Sequence, residues 1–443
     1  MWKLIVLFSI VTASPIDFSG VDLNPINQFA FKLLNNVYAF QDNFGQKNIA
    51  ISPVSVWSLF ALLAEGSTGD TFIELMRELR LPNDLRGTHD LHSALLNVLR
   101  SNDGDVILKG QSAMFADQTL NIHQEFCQSA NYYKTDVYFV DPSNSTRLAE
   151  DINYYICVAT EGRIREAVKA KHLEQLRMIL IDALYFKASW THPFDPTQTK
   201  EEAFYNSQGK TIGAVNMMYH KAPHNTGDSN LIGAQIIEMT YGKSEQFAML
   251  ILLPFDGMPL SRLLDNLATQ PLDWLSEFKS GGNLPEIDCY IPRFKISAQT
   301  DLIPPLQYTG IQRIFDREKA ELPGVSDSPL YVSKTLQNVE IEVTEEGTIA
   351  AASTVVGLED RILGQRFEAN KEFVFVVMDR SSNLVLFSGE QYFVFVLIFC
   401  SPLLGNFGCA IKSCFCLFIT KFYIIQFYRY LHYIIYNVLS LAN

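Results

Sequence analysis

The chain predicts an α+β fold organised around one large core. Apolar residues recur at helical spacing in the N-terminal part, and short apolar runs rich in β-formers follow in the middle and near residue 375. No Pro/Ser-rich linker, internal repeat or charge run divides the 443 residues, of which 48% are hydrophobic. In order, Phe29, Leu33, Val37 and Phe40 place a helix over 27–40, Val54, Trp57, Ala61 and Ala64 one over 54–65, and Phe72, Leu75, Met76 and Leu79 one over 71–79. Residues 178–186, 235–239, 247–253 and 373–377 are continuous enough in Ile, Leu, Val, Phe and Met to be buried strands.

Composition narrows the function classes. A formal charge of −13 argues against non-specific nucleic-acid binding. No G-x-S-x-G, no phosphate-binding G-x-x-x-x-G-K and no H-E-x-x-H occurs, so the residues offer no catalytic group and an enzyme is not expected. Cys127, Cys157 and Cys289 lie too far apart for a disulfide framework or a metal motif and read as free thiols. His220 and His224 have the spacing of zinc ligands, but without a neighbouring cysteine or carboxylate pair they read as surface-loop histidines, and no metal is expected.

The N-terminus reads as an export signal over 1–13. Lys3 supplies a positive charge, residues 4–11 are apolar, and Thr12, Ala13 and Ser14 offer small residues for cleavage, which makes the protein secreted and extracellular. Asn144-Ser145-Thr146 is the one N-x-S/T sequon and lies in a polar stretch suited to a glycan.

One segment is odd as a structural element. After Glu345, Glu346 and Gly347 comes a run in which Thr348, Ala350, Ala352 and Thr354 alternate with Ile349, Ala351 and Ser353. Extended, it presents a uniformly small face that could slide between two strands without overpacking them, and Gly347 supplies a hinge. Arg361-Ile362 follows as a bond that a trypsin-like protease would cut, because a guanidinium pairs bidentately with an acidic pocket.

Further motifs stand in order along the chain: Asn48 to Ser55 with Ser52-Pro53; Glu65-Gly66 with Gly69 and Thr71; Asn153 to Ile164 with Thr160 and Gly162; Asp182 to Trp190; Phe194-Asp195-Pro196 and Thr199; Met217-Met218; Met249 to Pro254; Ile291 to Phe294; and Leu330 to Lys334. Together with the small-residue segment they make residues 24–389 resemble the serpins. The resemblance implies three β-sheets with eight or nine helices and an exposed reactive loop at 345–366. It implies a monomeric inhibitor that traps a serine protease: the protease cuts after Arg361, and the freed loop inserts into the central sheet. The hinge would be Glu345, Glu346, Gly347, Thr348, Ala350, Ala351 and Ala352. Counting from Glu345, the seventeenth residue is Arg361; Arg366 is the rival bait. Ser52, Ser55, Asp182, Trp190 and Gln337 would line the region that must part. Asp182 and Gln337 stand where the family usually has Asn and His, which implies a rewired hydrogen-bond network. Ile349 replaces the usual Glu on an outward face, and the stretch 361–367 is slightly short for the family.

The Arg-Ile-Leu-Gly sequence at 361–364 looks like the activation site of trypsin-like zymogens, so a protease that activates zymogens in an extracellular cascade is the expected partner. Residues 88–100, where heparin-binding serpins carry a basic helix, hold one arginine, and no polysaccharide or other cofactor is expected. A non-inhibitory serpin acting as carrier, storage protein or chaperone is the alternative, disfavoured because the inserting face carries neither charge nor proline. Residues 390–443 depart from the family: from Gln391 on there is no Asp or Glu, three basic residues and four cysteines. This composition is expected from translation past the last exon into AT-rich intron, with a membrane anchor as the alternative.

Overall fold

The computed structural model describes residues 21–42, 48–100, 105–174, 176–278, 284–347 and 365–391. Along the chain run α1 (Asn24–Asp42), β1 (Ile49–Ile51), α2 (Pro53–Glu65), α3 (Gly69–Glu78), α4 (Leu85–Arg100), β2 (Val106–Asp117), α5 (Gln124–Tyr132), β3 (Thr135–Val140), α6 (Ser145–Ala159) and β4 (Met178–Ala188). There follow β5 (Lys200–Tyr205), β6 (Thr211–Pro223), β7 (Asn225–Ser229), β8 (Ala234–Tyr241), β9 (Phe247–Pro254), α7 (Leu260–Thr269), α8 (Trp274–Glu277), β10 (Glu286–Pro292), β11 (Phe294–Asp301) and α9 (Ile303–Thr309). The described chain ends with β12 (Lys334–Val343), β13 (Gln365–Glu368), β14 (Phe373–Asp379) and β15 (Val385–Gln391). Among the described residues this is the expected α+β architecture with three sheets, and every helix and strand read from periodicity is present.

The sheets have the orders β1-β15-β14-β9-β8-β7, β13-β10-β6-β5 and β11-β12-β4-β2-β3. The five-stranded sheet is covered on both faces, which is why β4 reads as a continuous apolar run. Its side chains alternate: Met178, Leu180, Leu184 and Phe186 join the main core, while Ile179, Ile181 and Ala183 join a second cluster. That second cluster is completed by Leu148, Ala149, Ile152 and Ile156, the apolar stripe of α6, which therefore lies on the sheet's outer face. On the inner face Phe186 meets Tyr241 and Phe387 at ring-centroid distances of 5.3 and 5.6 Å, so the main core joins this sheet to the six-stranded one.

Helix α2 has Ser52 as its N-cap and Pro53 in its first turn, where the missing N–H costs nothing. Most of its residues are buried, since it sits inside the core rather than on it. Strand β15 runs two residues beyond Gly389, with Glu390 and Gln391 still paired to Ile49 and Phe373. The export segment 1–13 and residues 392–443 of the tail lie outside the described residues.

Candidate functional site

The five-stranded sheet has two parallel seams, β2 with β3 at its edge and β12 with β4 at its centre, and the chain leaving β12 points to the second. Strands β11 and β12 pair antiparallel, as do β2 and β4, but the central pair β12 and β4 is parallel, with Lys334 to Ile341 opposite Ile179 to Phe186. A strand running the other way between them would make an antiparallel ladder with each. The chain leaving β12 is aimed to do this. Glu345 and Glu346 form a turn, and Gly347 bridges antiparallel to Thr344 on one side and to Ser189 on the other. Gly347 therefore stands at the mouth of the seam, between the ends of β12 and β4.

Only glycine fits there. Gly347 has φ +124°, and a Cβ would stand 2.4 Å from the Ala188 carbonyl oxygen and 2.6 Å from the Trp190 nitrogen. The Trp190 N–H donates to the Glu346 carbonyl at 3.0 Å, its indole Nε1–H to the Thr344 carbonyl at 3.0 Å, and the Phe194 N–H to the Glu345 carbonyl at 2.7 Å. Trp190 is held in turn by stacking on Tyr241, 4.4 Å between centroids. The Glu345 carboxylate is buried and accepts from Thr199 Oγ1 at 2.8 Å, with the Arg293 guanidinium at 3.5 Å.

Midway along the seam sits a buried polar cluster. Asp182 and Gln337 face each other in the parallel register. The Gln337 amide donates to Asp182 Oδ2 at 2.7 Å, to the Ser52 carbonyl at 2.9 Å and to Ser55 Oγ at 3.1 Å, and its oxygen accepts from the Ser52 N–H at 2.9 Å. Asp182 also accepts from Ser55 Oγ and from Ser112 Oγ, the latter at 2.8 Å. Burial pushes the Asp182 carboxyl above its ordinary range, against the lowering pull of the hydrogen bonds from Ser55, Gln337 and Ser112. The structure therefore joins Ser52, Ser55, Asp182 and Gln337 in one network and adds Ser112, which no motif pointed to.

The segment after α6 straddles the seam from outside. Asn153 accepts from the N–H groups of Ala167 and Val168 at 2.8 and 2.9 Å and holds this segment against the helix. Arg163 lies over the Tyr185 ring of β4 at 5.0 Å and 3.9 Å from Glu340 of β12. Asn338 donates to the Ala167 carbonyl at 3.4 Å. These contacts were not read from the sequence; the alternation of charge and apolar residues along β12 was their one available sign.

The remaining expected residues divide in two. Thr348, Ala350, Ala351, Ala352, Arg361 and Ile362 lie outside the described residues. Arg366, the rival bait, lies in β13 paired beside Asp288, with its guanidinium 4.4 Å over the Tyr290 ring and 2.8 Å from Glu368. Asn144 is exposed and caps α6, its Oδ1 accepting from the Arg147 N–H at 3.0 Å. Cys127, Cys157 and Cys289 are free, the last fully buried. The histidine reading is corrected: His220 and His224 are not on a surface loop but 9% and 4% exposed, because β6 carries His220 into the space between Phe194 and β10.

Known proteins share this architecture. A sequence model of the family described as Serpin (serine protease inhibitor) matches residues 24–392. Serpin B9 of Homo sapiens is 30% identical over 379 residues, covering 83% of this chain and 98% of that protein. Antitrypsin of Bombyx mori is 30% identical over 402 residues, covering 88% and 99%. Among solved structures, Serpin48 of the insect Tenebrio molitor superposes with a TM-score of 0.73 at 24% identity over 85% of this chain and 98% of that one. Thyroxine-binding globulin in complex with thyroxine gives 0.71 at 24% over 83% and 98%. At these identities the two structures bear on the fold alone.

Proposed function

The chain belongs to the serpin family, and from that premise we propose that it is a secreted inhibitor that traps a trypsin-like serine protease at the Arg361–Ile362 bond. The protease serine attacks the Arg361 carbonyl, the bond to Ile362 breaks with Ile362 leaving as a free amine, and Arg361 stays esterified to the protease. The loop from Thr348 onward then inserts between β12 and β4 and carries the acylated protease away from its docking site, so that the ester is not hydrolysed. The chain itself acts as a consumed substrate, not as an enzyme.

The observation that carries this reading is the hinge: Gly347 bridges antiparallel to Thr344 and Ser189, the residues that follow the two strands of a parallel seam. The absence of charge and proline on the inserting face of 348–354 supports it further. Arg366 suits the bait role less, being a paired strand residue of β13, whereas a protease needs an extended segment it can grip. The resemblance of Arg361 and the three residues after it to a zymogen activation site favours, as partner, a protease that activates other zymogens.

The test mixes the full chain with trypsin and resolves the products on a denaturing gel. An SDS-resistant band at the summed mass, with a released peptide beginning at Ile362, is expected. Complete cleavage without such a band would make the protein a substrate, and the carrier, storage or chaperone reading would replace inhibition.

A further inference from the structure

Beside the hinge lies a cluster that protease trapping does not use. In the antiparallel register of β10 and β6, Cys289 stands directly opposite His220. His224 follows at the end of β6, where its N–H donates to the Pro285 carbonyl at 3.2 Å and the chain folds back. The Nε2 atoms of the two rings are 2.9 Å apart, and one ring nitrogen of each histidine and the Cys289 sulfur all lie within 4.8 Å of one another. We propose that His220, His224 and Cys289 form a binding site for a zinc-type divalent cation.

The cluster is poorly explained as packing. Three polar groups are buried at one point with a single imidazole–imidazole hydrogen bond among them, and His220 Nδ1 has no hydrogen bond of normal geometry. A buried unsatisfied group costs about 1–3 kcal/mol, and coordination at Nε2 would place the ring proton on Nδ1, turning it into a donor. Two imidazoles and one thiolate are the donor set of a tetrahedral zinc site with one open position, and they are too soft for calcium or magnesium. The His192 ring, 6.0 Å from that of His224, is the nearest further imidazole for that position.

Loading is a ligand exchange. The ion sheds water and takes bonds from two Nε2 atoms and Sγ; the thiol proton leaves to solvent. The Nε2 proton shared by the imidazoles moves to Nδ1 of its own ring. At His220 the carbonyls of Pro193 and His192 already favour a proton. The site's position is consequential, since the Phe194 ring stacks on His220 at 3.9 Å while its N–H holds the Glu345 carbonyl. A bound ion would sit two contacts from the hinge.

The probe is Co2+, a spectroscopic stand-in for Zn2+, added to full-length protein with Cys400, Cys409, Cys414 and Cys416 changed to Ser so that the tail thiols cannot contribute. One equivalent should give tetrahedral d–d bands and a sulfur-to-cobalt charge-transfer band, both abolished by competing Zn2+. The band should persist when Cys127→Ser and Cys157→Ser leave Cys289 as the sole thiol and vanish in Cys289→Ser. His224→Ala should weaken binding by more than about tenfold. Absence of the thiolate band in the unsubstituted site, which needs no variant of the three residues, overturns the proposal, and so does a band that survives Cys289→Ser.

Discussion

Gln337→Leu tests whether the polar cluster is the latch of the seam. The substitution keeps most of the side-chain volume and removes one amide. The bond lost to the buried Asp182 carboxylate, 2.7 Å long, is charge-assisted and contributes about 2 kcal/mol, while the pair made with the Ser52 N–H and carbonyl, both 2.9 Å, contributes about 1 kcal/mol each. The expected loss is therefore about 4 kcal/mol, large against the ~5–15 kcal/mol that holds a domain folded. Much of it reflects a carboxylate left buried with fewer donors, so removing that charge should recover part of the loss. Asp182→Asn can keep an acceptor toward Ser55 Oγ and donate to Ser112 Oγ. In the Gln337→Leu background it should recover about 1–2 kcal/mol.

The assay is urea unfolding of the full chain followed by tryptophan fluorescence, scored as the midpoint of the first transition and as the unfolding rate. Both are read because two-state behaviour is not assumed for a chain of this size. A first-transition loss below about 1 kcal/mol for Gln337→Leu, or strict additivity of the two substitutions, would refute the latch and leave the cluster as filler.

Three further outcomes are expected. Gly347→Ala should cost about 1–3 kcal/mol of local stability, because the new methyl meets the Ala188 carbonyl at 2.4 Å, and hydrogen exchange at the Trp190 amide should accelerate. Asp182 sets a pH dependence. Its native pKa lies above the ordinary 3.8, so the native state binds the proton more tightly than the unfolded chain, and the favourable contribution present below pH 3.8 is lost as pH rises through the raised value. The stability of the wild type relative to Asp182→Asn should therefore fall as pH rises across that window; urea titrations that show it rising would contradict the assignment. Arg361→Ala should abolish the SDS-resistant complex with trypsin while Arg366→Ala preserves it, and the reverse pattern would move the bait to Arg366.

Much of the fold was legible because its signals are local. The helical recurrence behind α1, α2 and α3 and the apolar runs of β4, β9 and β14 reflect burial on one face or on both, which periodicity reports directly. Strand β13, with Gln365 and Arg366 exposed and Phe367 buried, carries too short a pattern to be seen. The seam's residues Ser52, Ser55, Asp182 and Gln337 were legible through motifs, but not their register, because which strands run parallel is a property of topology. The same gap misplaced the histidines. Spacing alone gave His220 and His224 no thiol partner, since Cys289 becomes their neighbour only through the pairing of β6 with β10. Arg163 itself could not be singled out, because its partners Tyr185 and Glu340 lie on different strands.

A polar latch at this point of the sheet has a physical logic. On the side of it away from the hinge the seam is lined by apolar side chains, such as Ile179, Ile181 and Leu336, whose separation exposes area and is not repaired until a whole strand has replaced it. Backbone bonds between β12 and β4 behave differently, because an incoming antiparallel strand offers each wall a new N–H and C=O at every step. Asp182 and Gln337 extend that exchangeability to the side chains, since each can turn to other donors or acceptors, while Ser52 and Ser55 on α2 keep one half of the network in place. The resistance of the seam is thus concentrated where it can be broken and remade, and outside it Arg163 bridges the two walls through Tyr185 and Glu340. Insertion that starts at Gly347 meets the Arg163 bridge beside Glu340 before it reaches Gln337. On the proposed insertion mechanism the sheet would open in sequence from the hinge inward, and the two barriers, one ionic and exposed to salt, the other buried and set by Asp182, should respond separately to ionic strength and to pH.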